Sequence, residues 1–317
     1  MSEGSSAGGR GRDPRTAERR ERRVEDGLAE LDQWLRDQVA HGLARAERAP
    51  YRLWDDASRR LVDASAGSLA AQVRALAGVP RRAGWPDRLL AEYALLRLLV
   101  RAYQGREALP PRLREVVRAR IGFAMPQDEV LARGERVRDA WCVIGSRDAT
   151  LDQLTTRRVW LRGEASGRSA LVLSFAARGR PLDASLAVGT AVDATLAFYP
   201  DGLRALVAER SERPAARGTP SGTSVRAMLD EHAAALADDP WLDRWPAVLA
   251  GVRPGRDKRG DLHVLDTSGE ALPLRTSDPW PLLAVSGGGP VTLSGEWTPE
   301  GLHPLALWHP EEGVVLL

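Results

Sequence analysis

Cysteine and lysine are almost missing from this 317-residue chain, which has Cys142 alone and Lys258 alone. A single thiol excludes any internal disulfide and any cysteine-rich zinc site. Long apolar runs are missing as well. No stretch reaches the ~18–20 residues needed to cross a bilayer, and Met1 leads into Ser, Gly and Arg, without a hydrophobic signal segment. The expectation is a cytoplasmic protein with no membrane contact. Also absent are G-x-S-x-G, H-E-x-x-H and any Cys/His pair with ligand spacing, so nucleophilic and metal hydrolysis have no candidate residues. Cys142 lies in an apolar run between Trp141 and Val143 and reads as a buried, inert thiol.

What is present is distinctive. Phe and Tyr are scarce, yet there are ten tryptophans, and 43% apolar residues are ample for packed cores. Net charge is only +2, but residues 1–125 hold 24 Arg against 17 acids and the remainder is acidic. A basic half joined to an acidic half points to an anionic partner for the first.

One pattern occurs twice, displaced by 99 positions: Val192, Pro200, Asp201, Gly202, Leu203 and Leu206, then Val291, Pro299, Glu300, Gly301, Leu302 and Leu305. Each copy ends a β-forming run, makes a Pro-acid-Gly turn and resumes with Leu-x-x-Leu. A repeat at this distance implies a duplicated β-module.

Residues 1–14 read as a disordered tail. From Thr16 to about Arg45, Val24, Leu28, Leu31, Leu35, Val39 and Leu43 follow helical spacing, and the charged first turns are expected to project or fray. Helices follow at Tyr51–Asp63, around Leu69–Leu76, from Pro86 to about Tyr103, where Leu89, Leu90, Tyr93, Leu96 and Val100 make it strongly apolar, and from Pro110–Pro111. Residues 15–125 thus form a helical bundle. A first β-module spans 137–210. Residues 211–245 are a Pro/Gly linker and a helix capped by Thr223 or Ser224, with Val225, Met228, Leu229, His232 and Leu236 on one face. Asp239-Pro240 reads as a second cap. Residues 246–317 form a second β-module, with strands expected to include Leu282–Val285. The fold class is α+β: a helical bundle followed by two related small β-barrel or open-sheet modules, joined by a helix packed between them.

Few constellations suggest chemistry. Arg19, Arg20, Arg22 and Arg23 are the candidate phosphate contacts, although Glu18, Glu21, Glu25 and Asp26 interleave with them. Trp141, Trp160, Trp241, Trp245, Trp280, Trp297 and Trp308 could stack bases if displayed on a β-face, but most fall in apolar runs that suit a core. His232 reads as a buried or interface histidine. His303 and His309 lack metal spacing, and Asp238, Asp239 and Asp243 suit caps and turns. Gly287-Gly288-Gly289-Pro290 precedes a strand, so it is a turn and no phosphate loop. No catalytic residue, metal ligand or cofactor is nominated.

Six ordered stretches carry a family resemblance: Glu18–Val24, Leu61–Ala64, Trp85–Leu90, Thr155–Leu161, Asp238–Leu242 and Val285–Val291. From about Arg15 onward the chain resembles the C-terminal region of actinobacterial SWIM zinc-finger family proteins. The family's finger, C-x-C then C-x-H, would precede the Arg-rich helix, and no residue here can carry it. Three alternatives stay open: a finger on a separate chain, a start codon further upstream, or a member that works without one. The duplicated module and the absence of any catalytic constellation suggest a non-enzymatic accessory body of a zinc-finger system that docks an unknown protein, with a separately encoded zinc-finger chain as one candidate. The alternative is direct nucleic-acid binding through the Arg helix and a Trp-bearing β-face. A third reading, an enzyme with an unrecognised site, requires a concave pocket with convergent polar groups.

Overall fold

The computed structural model describes residues 14–123, 125–151, 153–211, 215–216 and 218–317. The chain divides into two compact units, Met1–Ala124 and Met125–Leu317. Of the expected disordered tail, residues 1–13 lie outside the described residues, and Pro14 opens a helix.

The first unit contains α1 (Pro14–Ala40), α2 (Ala44–Glu47), α3 (Arg52–Asp63), α4 (Gly67–Ala75), α5 (Trp85–Gln104) and α6 (Pro111–Ile121). Val24, Leu28, Leu31 and Leu35 bury one stripe of α1, as their 3–4 spacing requires. The helix stops before Gly42 and does not run on to Arg45, and Val39 is exposed. Trp34 meets Trp54 and Tyr93 edge-on, with ring centroids 5.8 and 5.9 Å apart, the arrangement that ring quadrupoles favour. This cluster joins α1, α3 and α5. Buried Asp32 adds a polar tie, accepting from Arg36 on its own helix and from Arg97 of α5 at 3.2 Å.

The charged start of α1 does not fray. Glu21 accepts from Tyr103 of α5 and from Arg118 of α6, the latter at 2.7 Å. Arg20 donates to the Gly122 carbonyl at 2.8 Å and covers the Phe123 ring at 4.5 Å. Charge interleaving here is tertiary pairing, so the turns are fixed by α5 and α6 even though few apolar groups are present.

The second unit opens with α7 (Gln127–Arg133), which precedes β1 (Glu135–Leu151). Then come β2 (Leu154–Gly163), β3 (Ser169–Ala177), β4 (Thr190–Phe198), β5 (Ala205–Arg210) and β6 (Ala215–Ala216). After α8 (Val225–Asp238) the chain forms β7 (Trp245–Arg256), β8 (Leu262–Leu265), β9 (Ala271–Pro273), α9 (Trp280–Ser286), β10 (Val291–Thr298), β11 (Gly301–His309) and β12 (Gly313–Leu316).

The two sheets share one order. The first runs β3-β2-β1-β4-β5, with β6 beside β4, and the second runs β9-β8-β7-β10-β11-β12. Each is a meander whose fourth strand returns to the first. Each is also drawn toward closure by one parallel bridge, Leu171 with Arg204 and Leu274 with Leu302. The bonds that make these bridges end on repeat-equivalent carbonyls: Leu171 N–H donates to Leu203 O and Arg275 N–H to Leu302 O, both at 2.8 Å. A meander, a returning fourth strand and a fifth strand parallel to the third make the Greek-key arrangement of an OB-type barrel. The preceding turn needs glycine in both copies, since φ is +74° at Gly202 and +134° at Gly301.

Each barrel has its own interior: Trp141, Val143, Leu161 and Leu196 in the first, and Leu249, Val264, Leu293 and Leu307 in the second. A further cluster, including Ile144, Trp160, Leu171, Val248, Leu305 and Trp308, seals the outer face of β1–β3 against the second barrel. Gly145, at a bulge in β1, permits this approach: a Cβ there would stand 2.5 Å from Leu305 Cδ1. Ser294 Oγ crosses the same junction to the Ile144 carbonyl at 2.5 Å.

Several expectations are corrected. Leu282–Val285 belongs to helix α9, because the Asp278 carboxylate caps the Trp280 N–H at 3.1 Å and Gly287 ends the segment in a left-handed conformation. A short apolar run alone cannot separate strand from buried helix. Asp239 accepts from the Trp241 N–H at 3.1 Å, but in a turn and not at a helix start. Within the expected linker, Ala215–Ala216 pairs with Thr190 and Ala191 of β4, while residues 212–214 and 217 lie outside the described residues. Ser224 is the cap of α8, its Oγ accepting from the Ala227 N–H at 3.2 Å. That helix packs Val225 and Met228 into the second barrel's core, and Glu231 takes a bidentate pair from Arg162 of β2, both bonds at 2.9 Å.

Candidate functional site

Glu296 is the chemically unusual residue of the second unit. It sits on β10, and its side chain is 0% exposed. Arg158 of β2 meets both carboxylate oxygens, at 3.0 and 3.3 Å, and Trp160 Nε1 donates at 2.9 Å. Arg147 of β1 stands 3.6 Å away, and Arg244 stands 3.8 Å away while also pairing with Asp243 at 3.1 Å. Burial alone would raise this carboxyl's pKa. The bonds from Arg158 and Trp160 and the charges of Arg158 and Arg244 outweigh burial, so the group stays below its ordinary 4.5. His303 is Glu296's partner on β11, and its pKa lies below 6.5, first through burial and then through Arg147.

Register explains why this cluster forms. On β1–β2, Arg147 faces Arg158, Ala149 faces Thr156, and Leu151 faces Leu154. On β2–β3, Arg158 faces Leu173, and Thr156 faces Phe175. Alternation puts all of these on one outer face. The second barrel covers the end of that face around Trp160 and Leu171. Beyond the arginines the face is open: Phe175 is 54% exposed, Leu154 47% and Leu151 77%.

The first unit has a different kind of surface. Leu90 and Leu98 of α5 are each 46% exposed, and Ala91, Ala94 and Leu95 between them are exposed too. Their spacing puts an apolar face on the side of α5 opposite Leu89, Tyr93, Leu96 and Val100. Leu90 belongs to this outer face. The cleft between α1 and α3, lined by Glu30, Trp34 and Arg60 among others, encloses about 10 Å³, room for one water.

Residues 19–121 match the family model described as the SWIM-associated four-helix bundle domain. The first unit is a SWIM-associated bundle. The match ends before the second unit, whose barrels lie outside it. Comparisons with curated proteins and with solved structures return no match.

Within the SWIM-associated bundle, the four arginines singled out earlier differ in their surroundings. Arg20 donates to the Gly122 carbonyl and covers the Phe123 ring, whereas Arg19, Arg22 and Arg23 are exposed, Arg22 lying 3.8 Å from Glu18. The Trp-bearing β-face is overturned by burial. Trp141, Trp160, Trp241 and Trp308 are buried, and Trp245 and Trp297 pack against the second core. Trp280 is exposed, but on α9. Cys142 is buried and donates to Glu164 at 3.1 Å. His232 is half-buried beside Trp245, and burial lowers its pKa. Among the described residues no three His, Cys, Asp or Glu side chains could hold a metal ion, and no helix is long and apolar enough to cross a membrane. Sequence reasoning missed Glu296, Arg147, Arg158 and Phe175, which are far apart in the chain and meet only through strand register.

Proposed function

We propose that this chain is a non-enzymatic interaction protein whose SWIM-associated bundle docks a partner on the exposed face of α5. One observation carries this reading: Leu90, Ala91, Ala94, Leu95 and Leu98 form an unbroken apolar strip on a helix whose opposite side already fills the core. Exposed apolar strips of this kind mark sites where a partner helix or groove removes them from water. The partner that fits is a protein presenting an apolar helix, and a separately encoded zinc-finger chain is the candidate supplied by the family resemblance. The barrels then act as a body joined to the docking bundle. Their common strand order and their closing bonds at Leu203 and Leu302 support an internal duplication.

A photo-crosslinking residue placed at Ala94 tests the docking face, with the same residue at exposed Arg52 of α3 as control. Specific capture at Ala94 of a protein carrying a C-x-C…C-x-H pattern supports the reading. Equal labelling from both positions contradicts it.

A further inference from the structure

We propose that α5 also pairs with α5 of a second copy of this chain, as an antiparallel two-fold dimer that covers the docking strip until a partner helix displaces it. The inference rests on α5 being a docking face and adds its regulation: docking becomes the exchange of one helix for another.

Charge along the strip supplies the first argument. Asp87, Ala91, Ala94, Leu98 and Arg101 are all exposed and follow one another at steps of four, three, four and three, the spacing of a seam between paired helices. Leu90 flanks the seam and, like Leu98, is 46% exposed. The two charges stand at opposite ends, Asp87 in the first turn of α5 and Arg101 in the last. Neighbouring charges are engaged within the bundle: Arg88 pairs with Glu92 at 2.6 Å, and Arg97 with buried Asp32 at 3.2 Å. Arg101 donates to Gln104, a neutral acceptor, at 3.3 Å.

Symmetry supplies the second. Asp87 and Arg101 are each seven residues from Ala94, and Leu90 and Leu98 are each four. A two-fold axis beside Ala94 therefore sets Asp87 of each copy against Arg101 of the other, and Leu90 against Leu98, in two equal sets. A parallel pair would place like charge on like charge at both ends and would align the two helix dipoles side by side. Alanine at 94, on the axis, and at 91 lets the helices approach to the short end of the roughly 8–10 Å usual between packed axes. One exposed helix per copy makes a small interface, below about 1,200 Å², the size of a transient complex. Such a pair yields to a competing helix.

Sedimentation equilibrium of the purified full chain, from low to high micromolar concentration, tests the proposal. The mass should rise from the 34.5 kDa of one chain toward twice that value. Asp87→Arg and Arg101→Asp should each weaken the dimer roughly 2- to 30-fold, since each breaks two exposed ion pairs. The double variant Asp87→Arg/Arg101→Asp should associate as the wild type does, a recovery that misfolding could not give. Ala94→Cys should cross-link two copies under a mild oxidant. Asp87→Cys should not, because the two copies of that position lie roughly 21 Å apart along the pair. A chain that stays monomeric throughout overturns the proposal. So does a dimer that neither charge reversal weakens, a double variant no better than the single ones, or cross-linking through Asp87→Cys. The two failures are distinct: a monomer that still captures another protein at Ala94 overturns self-pairing and leaves docking intact, whereas equal labelling from Ala94 and Arg52 overturns both.

Discussion

Replacing Glu296 by Gln tests how the two barrels are held together. The substitution keeps shape and leaves an acceptor for Trp160, but it removes the charge that Arg158 grips with both nitrogens. Breaking a buried pair from one side costs about 3–5 kcal/mol. Arg158 is 16% exposed and can regain some hydration, so the low end, about 3 kcal/mol, is expected. In a unit of this size that lowers Tm by roughly 6–12 °C. Glu296→Ala also strands the Trp160 N–H, adding about 1–3 kcal/mol. Calorimetry or urea unfolding of the full chain, following the second unit's transition, reads both values. Pairing Glu296→Gln with Arg158→Met should recover at least about 1 kcal/mol over the sum of the single changes, because the stranded cation is gone. A loss below 1 kcal/mol in Glu296→Gln, or strict additivity in the pair, would refute the argument.

Other consequences follow from the same contacts. Because the folded-state pKa of Glu296 lies below 4.5, its contribution should be intact above that value and fade as pH falls through the lowered one; Glu296→Gln should flatten this part of the stability–pH curve. His303 runs in the matching sense: its pKa is lowered in the folded state, so stability should decline as pH falls below 6.5, and His303→Gln should reduce that slope in urea titrations. Gly145→Ala should cost about 1–3 kcal/mol by forcing Leu305 aside, seen as a lower urea midpoint. Ser224→Ala should cost about 1 kcal/mol through loss of the α8 cap, and Ser224→Asp should restore it.

Helices with strong periodicity were readable in the sequence because one buried stripe per helix repeats in the residues themselves, as Leu28, Leu31 and Leu35 show. The pattern that recurs after 99 positions has a physical counterpart in each sheet: Gly202 and Gly301 take positive φ, and the Leu203 and Leu302 carbonyls each accept a bond that draws the sheet toward closure. Segments decided by one capping side chain were not legible: Asp278 turns Leu282–Val285 into a helix, although its apolar run suits a strand. The helix α5 was legible as strongly apolar, but it is apolar on both sides, so periodicity alone does not say that Leu90 lies on the exposed side. The arginines of α1 illustrate a different limit, since whether Arg20 serves a partner or Gly122 depends on α6, about a hundred residues away. The Glu296 cluster depends on register across two sheets, information that no local window contains.

Co-purification from native extract with wild-type chain and with a Leu90→Glu/Leu98→Glu variant bears on the interaction role more directly than any stability measurement. Both leucines are surface residues, so the variant should fold and melt like the wild type, while one protein enriched by the wild type disappears from its eluate. An identical set of co-purifying proteins from the two chains would contradict a docking role for the SWIM-associated bundle.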